Sequence, residues 1–159
     1  MIDFSLVKTI SAGDSYNEFF FQARKEAFND LITRVWGGWD EAFQRKTFAE
    51  EMEGLNPDVI LYKNQPIGCY CLKKQEDYYT FEAFFILPKY QNQGIGSFVL
   101  KKSLETADKD GLPVRIRHWN FNPAGALYTR MGFKVIGQQE FEGMKDYLVM
   151  TERKPGKAL

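Results

Sequence analysis

Tyr90-Gln91-Asn92-Gln93-Gly94-Ile95-Gly96-Ser97 is the stretch around which this 159-residue chain is organised. A β-prone run, Tyr78 to Leu87, precedes it and is closed by Pro88. A helical run, Ser97 to Lys109, follows, with Gly96, Leu100, Leu104 and Ala107 along one face. A strand that turns through glycine straight into a helix leaves several backbone N–H groups without intrahelical partners, all aimed at one spot. Such a spot attracts anions, and a phosphate or pyrophosphate is its natural occupant. Gly94 and Gly96 have no Cβ, so the backbone there turns sharply and approaches a bulky ligand closely. The stretch lacks the third glycine of a dinucleotide fingerprint, and no Gly-Lys-Ser/Thr follows as a nucleotide phosphate loop requires. Taken alone, a Gly-x-Gly before a helix is as readily a plain tight turn.

Length and composition bound the rest. At 159 residues the expectation is one domain, residues 1–152, followed by a polar tail from Arg153 to Leu159. Aromatic residues make up 16% of the chain and 14 of them are phenylalanine, so large rings must fill much of the interior. The 21 basic and 21 acidic residues cancel, which argues against a general nucleic-acid or membrane-surface binder. Neither a signal-peptide pattern nor an apolar run of membrane-spanning length is present, so a cytoplasmic protein is expected. Cys69 and Cys71 lie two apart in a β-prone run, on one strand face, which disfavours a mutual disulfide and points to buried free thiols. One histidine and no Cys-x-x-Cys pair leave little to bind a metal, so none is expected.

Along the chain, Ile2 to Ile10 reads as a first strand. Asp14 is placed to cap a long helix that ends near Gly37-Gly38, and Asp40 to cap a second, with Phe43, Thr47, Phe48 and Met52 facing inward to about Glu53. Val59 to Lys63 and Pro66 to Lys74 form a hairpin about Asn64-Gln65. Tyr78 to Leu87 is the fourth strand and Val114 to Trp119 the fifth. The helix between them makes a crossover, so these two strands should be parallel neighbours. Pro123 to Met131 is a short helix, and Phe133 to Gln138 and Met144 to Thr151 complete the sheet. The fold class is α/β, a mixed central sheet flanked by helices in the order β-α-α-β-β-β-α-β-α-β-β.

Gln91-Asn92-Gln93-Gly94-Ile95-Gly96 resembles the Gln/Arg-x-x-Gly-x-Gly/Ala acetyl-CoA-binding motif of the GCN5-related N-acetyltransferases, the GNAT family. Asn122-Pro123-Ala124-Gly125-Ala126-Leu127-Tyr128-Thr129-Arg130-Met131-Gly132-Phe133 is similar to the family's Asn-Pro-Ala-x-x-Leu-Tyr-x-x-x-Gly-Phe segment. Two motifs in the right order are far more specific than either alone. The resemblance implies the GNAT fold, acetyl-CoA as cofactor, and transfer of the acetyl group to a primary amine of a small molecule, peptide or protein. It favours a homodimer. The alternative is a non-catalytic acyl-CoA-binding regulatory module.

By the same resemblance, backbone groups of Phe84, Phe85 and Ile86 pair with the pantetheine arm like an added strand, and a bulge there aims one N–H at the thioester carbonyl. Gln93, Gly94, Ile95, Gly96 and Ser97 hold the pyrophosphate through backbone N–H groups, and Gln91, Asn92, Asn122, Ala124 and Tyr128 contact the cofactor. Tyr128 matches the tyrosine that donates a proton to the departing coenzyme A thiolate, although Leu127-Tyr128 also reads as helix packing. Asn122 also reads as a helix cap before Pro123. The amine needs a base, because a lysine-like ammonium with pKa about 10.4 is rarely neutral at pH 7. Glu82, a carboxylate in a strand rich in Phe and Tyr, is the first candidate; His118, the only histidine, is the second, and ordered water the third. Trp36 and Trp39, beside Asp40 and Glu41, either hold a cationic acceptor through cation–π attraction or only pack the helix corner.

Overall fold

The structure, a computed structural model, describes residues 1–156. Its helices and strands follow the expected order: β1 (Val7–Ser11), α1 (Asn17–Trp36), α2 (Glu41–Met52), β2 (Asp58–Tyr62), β3 (Gln65–Lys74), β4 (Tyr79–Ile86), α3 (Ile95–Lys109), β5 (Val114–Trp119), α4 (Ala124–Arg130), β6 (Lys134–Gln139) and β7 (Leu148–Arg153). Short 3-10 turns occupy Phe4–Leu6 and Pro88–Tyr90. The strands form one mixed sheet in the order β1-β2-β3-β4-β5-β7-β6, flanked by the helices. β4 and β5 are parallel, Tyr79 opposite Val114, as the crossover through α3 demands. β7 returns between β5 and β6, antiparallel to both.

Two compact units divide the chain: Met1–Cys71 with Ala83–Phe98, and Leu72–Glu82 with the segment from Val99 onward. In the first, α1 and α2 bury Phe20, Phe21, Ala23 and Phe48 against Val59, Leu61, Cys69 and Phe85 of the strands. Phe85 receives the edges of Phe20 at 6.4 Å and Phe28 at 6.1 Å, the geometry that ring quadrupoles favour. Complete burial of a ring such as Phe20 stabilises by roughly 1.5–3 kcal/mol, which explains why aromatic anchors fix a helix whose apolar stripe is otherwise sparse. Asp40 caps α2 as expected, accepting from the Phe43 N–H at 3.0 Å. The hairpin between β2 and β3 turns on Lys63 and Asn64, with φ of 51° and 65°, the double positive φ of a type I′ turn.

Six expectations are corrected. The β2–β3 hairpin turns on Lys63-Asn64 and not Asn64-Gln65, because Gln65 already pairs with Tyr62. The last strand starts at Leu148 and not Met144, whose N–H is turned back to the Phe141 carbonyl at 3.0 Å. The first strand starts at Val7 and not Ile2, because Asp3 accepts from the Ser5 N–H at 3.0 Å and its hydroxyl at 2.6 Å, winding Phe4–Leu6 into a 3-10 turn. Asp14 does not cap α1; Tyr16 holds that position without a side-chain bond. Phe43 faces outward and pairs with Trp36, 5.6 Å between ring centroids, while Gln44 takes the buried position. Arg153, assigned to the tail, closes β7 and forms an ion pair with Asp108 at 2.8 Å, and the Gly156 N–H donates to the same carboxylate. The Arg153 guanidinium holds the Asp108 carboxyl below its usual range. The remainder of the expected tail, 157–159, lies outside the described residues.

Cys69 and Cys71 are buried and form no disulfide, and burial pushes the Cys69 thiol up. Gly68, beside them on β3, underlies the end of β4: a Cβ there would sit 2.5 Å from the Phe85 carbonyl oxygen and 3.1 Å from the Ile86 Cα. Backbone fills that space, so an added methyl must push the strands apart. Gly68→Ala is expected to destabilise the protein by about 1–3 kcal/mol, seen as a lowered Tm in thermal unfolding. A variant as stable as the parent would contradict this packing.

Candidate active site

The first unit carries the glycine turn and the end of β4. Within β4, Ala83 takes φ 51°, a left-handed conformation that costs about 1–3 kcal/mol for a residue with a Cβ, and it lies immediately before Phe84, Phe85 and Ile86. Phe85 and Ile86 are buried and Phe84 is half-buried. The Gln91 side chain donates to the Ile86 carbonyl at 2.8 Å, and the Gln93 side chain to the Lys89 carbonyl at 2.9 Å, so both glutamines pin the turn to the segment before it.

Asn92 has φ 60° and Gly94 φ 89°. The ladder of α3 opens with the Phe98 N–H donating to the Gly94 carbonyl at 3.0 Å. The amides of Ile95, Gly96 and Ser97 thus precede the first helical bond, and the partial positive charge of the helix end lies with them. Gln91 to Gly94 are exposed, whereas Ile95 is buried and anchors the helix start.

The second unit carries Tyr128, His118, Asn122 and Glu82. Tyr128 of α4 is 5% exposed, with its ring 5.5 Å from His118 and 6.0 Å, edge-on, from Phe133. Burial pushes its phenol up to about 12. His118 Nδ1 lies 2.9 Å from the Trp119 carbonyl oxygen. A carbonyl only accepts, so Nδ1 is the donor in this contact. Gly125 makes room for this imidazole: a Cβ there would meet His118 Cε1 at 3.0 Å. Asn122 Oδ1 accepts from the Ala124 N–H at 3.0 Å, so the helix-start role is realised, although Pro123 occupies the cap position. Glu82 accepts from the Thr80 hydroxyl at 2.8 Å on the same strand.

Trp36 is 57% exposed. Trp39 is engaged within the first unit: its Nε1–H donates to Glu41 at 3.1 Å, its ring packs 6.0 Å from Phe21, and the Lys25 ammonium lies over it at 5.3 Å. The cation on this indole is the protein's own. The contact of Gly125 with His118 is a feature that sequence reasoning missed, and it has no local signature. The resemblance implied an irregularity in β4 at Phe84 to Ile86; the left-handed residue is Ala83, immediately before them. Among the described residues, no group of three or more His, Cys, Asp or Glu is placed to hold a metal ion, and no helix is long and apolar enough to cross a membrane.

A mixed sheet with a left-handed step in β4, a glycine turn opening α3 and a buried tyrosine on α4 defines an acyltransferase-like class of α/β protein. Residues 56–135 match the family model described as an acetyltransferase (GNAT) domain. This chain belongs to the GNAT acetyltransferase family. No curated protein matches it in sequence. Among solved structures it is similar to the ribosomal-protein-S18-alanine N-acetyltransferase from Escherichia coli, with TM-score 0.72, 18% identity and 96% of each chain covered. It is also similar to the PaiA N-acetyltransferase from Thermoplasma acidophilum in complex with coenzyme A, with TM-score 0.69, 17% identity, 93% of this chain and 98% of that one. A third is the Salmonella typhimurium acetyl transferase that modifies the N-terminal serine of ribosomal protein L7/L12, with TM-score 0.69, 15% identity and 96% of each chain. At these identities the likeness is one of fold.

Proposed function

We propose that the protein transfers an acetyl group from acetyl-CoA to a primary amine by direct attack with both substrates bound. The observation that carries the reading is the exposed turn at Gly94 opening directly into α3, inside the region that the family model matches. Coenzyme A suits the residues present: a diphosphate is matched by amides ahead of the first helical bond, and Gly94 places no side chain over them. The coenzyme A in the Thermoplasma acidophilum relative supports this choice. The acceptor is a small-molecule, peptide or protein amine. Two of the three relatives act by name on ribosomal proteins, which favours a peptide or protein amino group.

Acetyl-CoA, when bound, supplies the acetyl group as a thioester. The amides of Gln93 to Ser97 hold its pyrophosphate, with Gln91 and Asn92 shaping the turn. Backbone groups of Phe84, Phe85 and Ile86, re-aimed by the left-handed Ala83, pair with the pantetheine arm, and Asn122 and Ala124 contact it. Glu82 takes a proton from the acceptor ammonium, and the neutral amine so formed attacks; His118 Nε2 is the next proton acceptor. The Tyr128 hydroxyl donates a hydrogen bond to the departing sulfur. With burial pushing the phenol up to about 12, against about 8.5 for a thiol, the proton stays on Tyr128 Oη; a hydrogen bond to the sulfur replaces the full proton donation that the resemblance implies. Trp36, exposed beside Phe43, is the tryptophan through which a cationic acceptor is held.

Release of free coenzyme A thiol from acetyl-CoA, followed with a thiol reagent across amines and peptides beginning with alanine or serine, tests the proposal. Acceptor-dependent release is expected. Cofactor binding without release for any acceptor would turn the reading to the non-catalytic acyl-CoA module.

A further inference from the structure

The 3-10 turn at Phe4–Leu6 has no part in the motifs, yet it touches the glycine turn directly. The Phe4 ring stacks on Phe98 in the first turn of α3, 5.3 Å between centroids and 26° between planes. It also faces Gly94, where a Cβ would meet Phe4 Cζ at 3.0 Å. One ring therefore contacts the glycine whose φ of 89° sets the turn and the helix residue whose N–H closes it. Phe4 is 39% exposed, and its position is over-determined by its neighbours and not by burial.

Those neighbours tie the turn to the β2–β3 hairpin. The Asp3 N–H donates to the Tyr62 hydroxyl at 3.1 Å, and the Lys63 N–H donates to the Leu6 carbonyl at 3.3 Å. Asp3 caps the turn through Ser5. Tyr62 in turn receives the edge of Tyr90, the residue that leads into the glycine stretch, at 6.1 Å. The glycine stretch is thus gripped at both ends, by Tyr90 on Tyr62 and by Gly94 and Phe98 on Phe4.

We propose that the N-terminal 3-10 turn is a brace, with Phe4 as the positioning residue, that holds the glycine turn in its diphosphate-binding form. The inference rests on the assignment of coenzyme A to that turn. A brace of this kind couples two equilibria, so reciprocity requires that what loosens residues 3–6 weakens the cofactor, and that the cofactor tightens residues 3–6 by the same factor. A ring that merely filled surface space would show neither effect.

The test is calorimetric titration of coenzyme A into the full chain and into Phe4→Ala and Asp3→Ala, with Tm recorded for each, and hydrogen exchange of the Ser5 and Leu6 amides in the parent with and without coenzyme A. The expected result is a Kd raised about tenfold by Phe4→Ala and about threefold by Asp3→Ala, which removes the cap without touching the glycine turn, and slowed exchange at Leu6 on binding. Asp3→Ala keeps the test decisive if Phe4→Ala fails to fold. Parent-like Kd in a folded variant with unchanged exchange at residues 5 and 6 would overturn the brace alone. Absence of any coenzyme A binding to the parent would overturn the cofactor assignment, and the brace with it.

Discussion

Tyr128→Phe is expected to lower acetyl-transfer turnover at least about tenfold while leaving acetyl-CoA affinity near that of the parent. The substitution deletes one oxygen. The ring keeps its contacts with His118 and Phe133, at 5.5 and 6.0 Å, so the helix retains its seat and the stability change stays small. What is lost is a preorganised donor, and a donor aimed at developing charge acts on the transition state more than on the bound ground state. Burial also sets the pH behaviour. With the phenol pushed up to about 12, its neutral form persists throughout the working range, so Tyr128 contributes no loss of activity as the pH rises to about 10. Steady-state kinetics of Tyr128→Phe beside cofactor titrations check both parts. Unchanged turnover would remove Tyr128 from the chemistry and leave it as packing.

Gly94→Val is expected to raise the Kd for coenzyme A about thirtyfold or more, the equivalent of some 2 kcal/mol. Two costs combine at this position. The backbone has φ 89°, where a side chain costs roughly 1–2 kcal/mol and a β-branched one more. The new Cβ also meets the Phe4 ring at 3.0 Å. Gln91 to Gly94 are exposed, so the chain relieves both by rearranging the turn and not by unfolding. The amides that face the diphosphate then lose their common direction. Titration with coenzyme A, with Tm as the control for folding, measures the effect; a parent-like Kd would place the diphosphate elsewhere.

The order of strands and helices was legible because it rests on local signals: periodicity, the Asp40 cap, the glycines after α1 and the prolines that end or start elements. The parallel pairing of β4 and β5 followed from a chain too long between them for a hairpin. The glycine turn and the Asn122–Phe133 segment were legible for another reason, since each gathers several residues with one purpose into a short window. Phe4 was misread as strand because Asp3 and Ser5, two apart, form a local hydrogen-bonded turn that outweighs the alternation of Ile2, Phe4 and Leu6. The insertion of β7 between β5 and β6 depends on pairing between distant segments, which no short window contains. Trp39 looked available beside Asp40 and Glu41; the Lys25 ammonium that lies over it comes from a helix 14 positions earlier, beyond any local reading.

The most direct test of the cofactor assignment is a thermal-shift titration with acetyl-CoA, using desulfo-CoA and NAD for comparison. Ligand at a hundredfold its Kd adds about 2.7 kcal/mol to stability, which raises Tm by several degrees. The account predicts a shift with both coenzyme A compounds and none with NAD. A folded protein, free of carried-over cofactor, whose Tm stays fixed with either coenzyme A compound would contradict it.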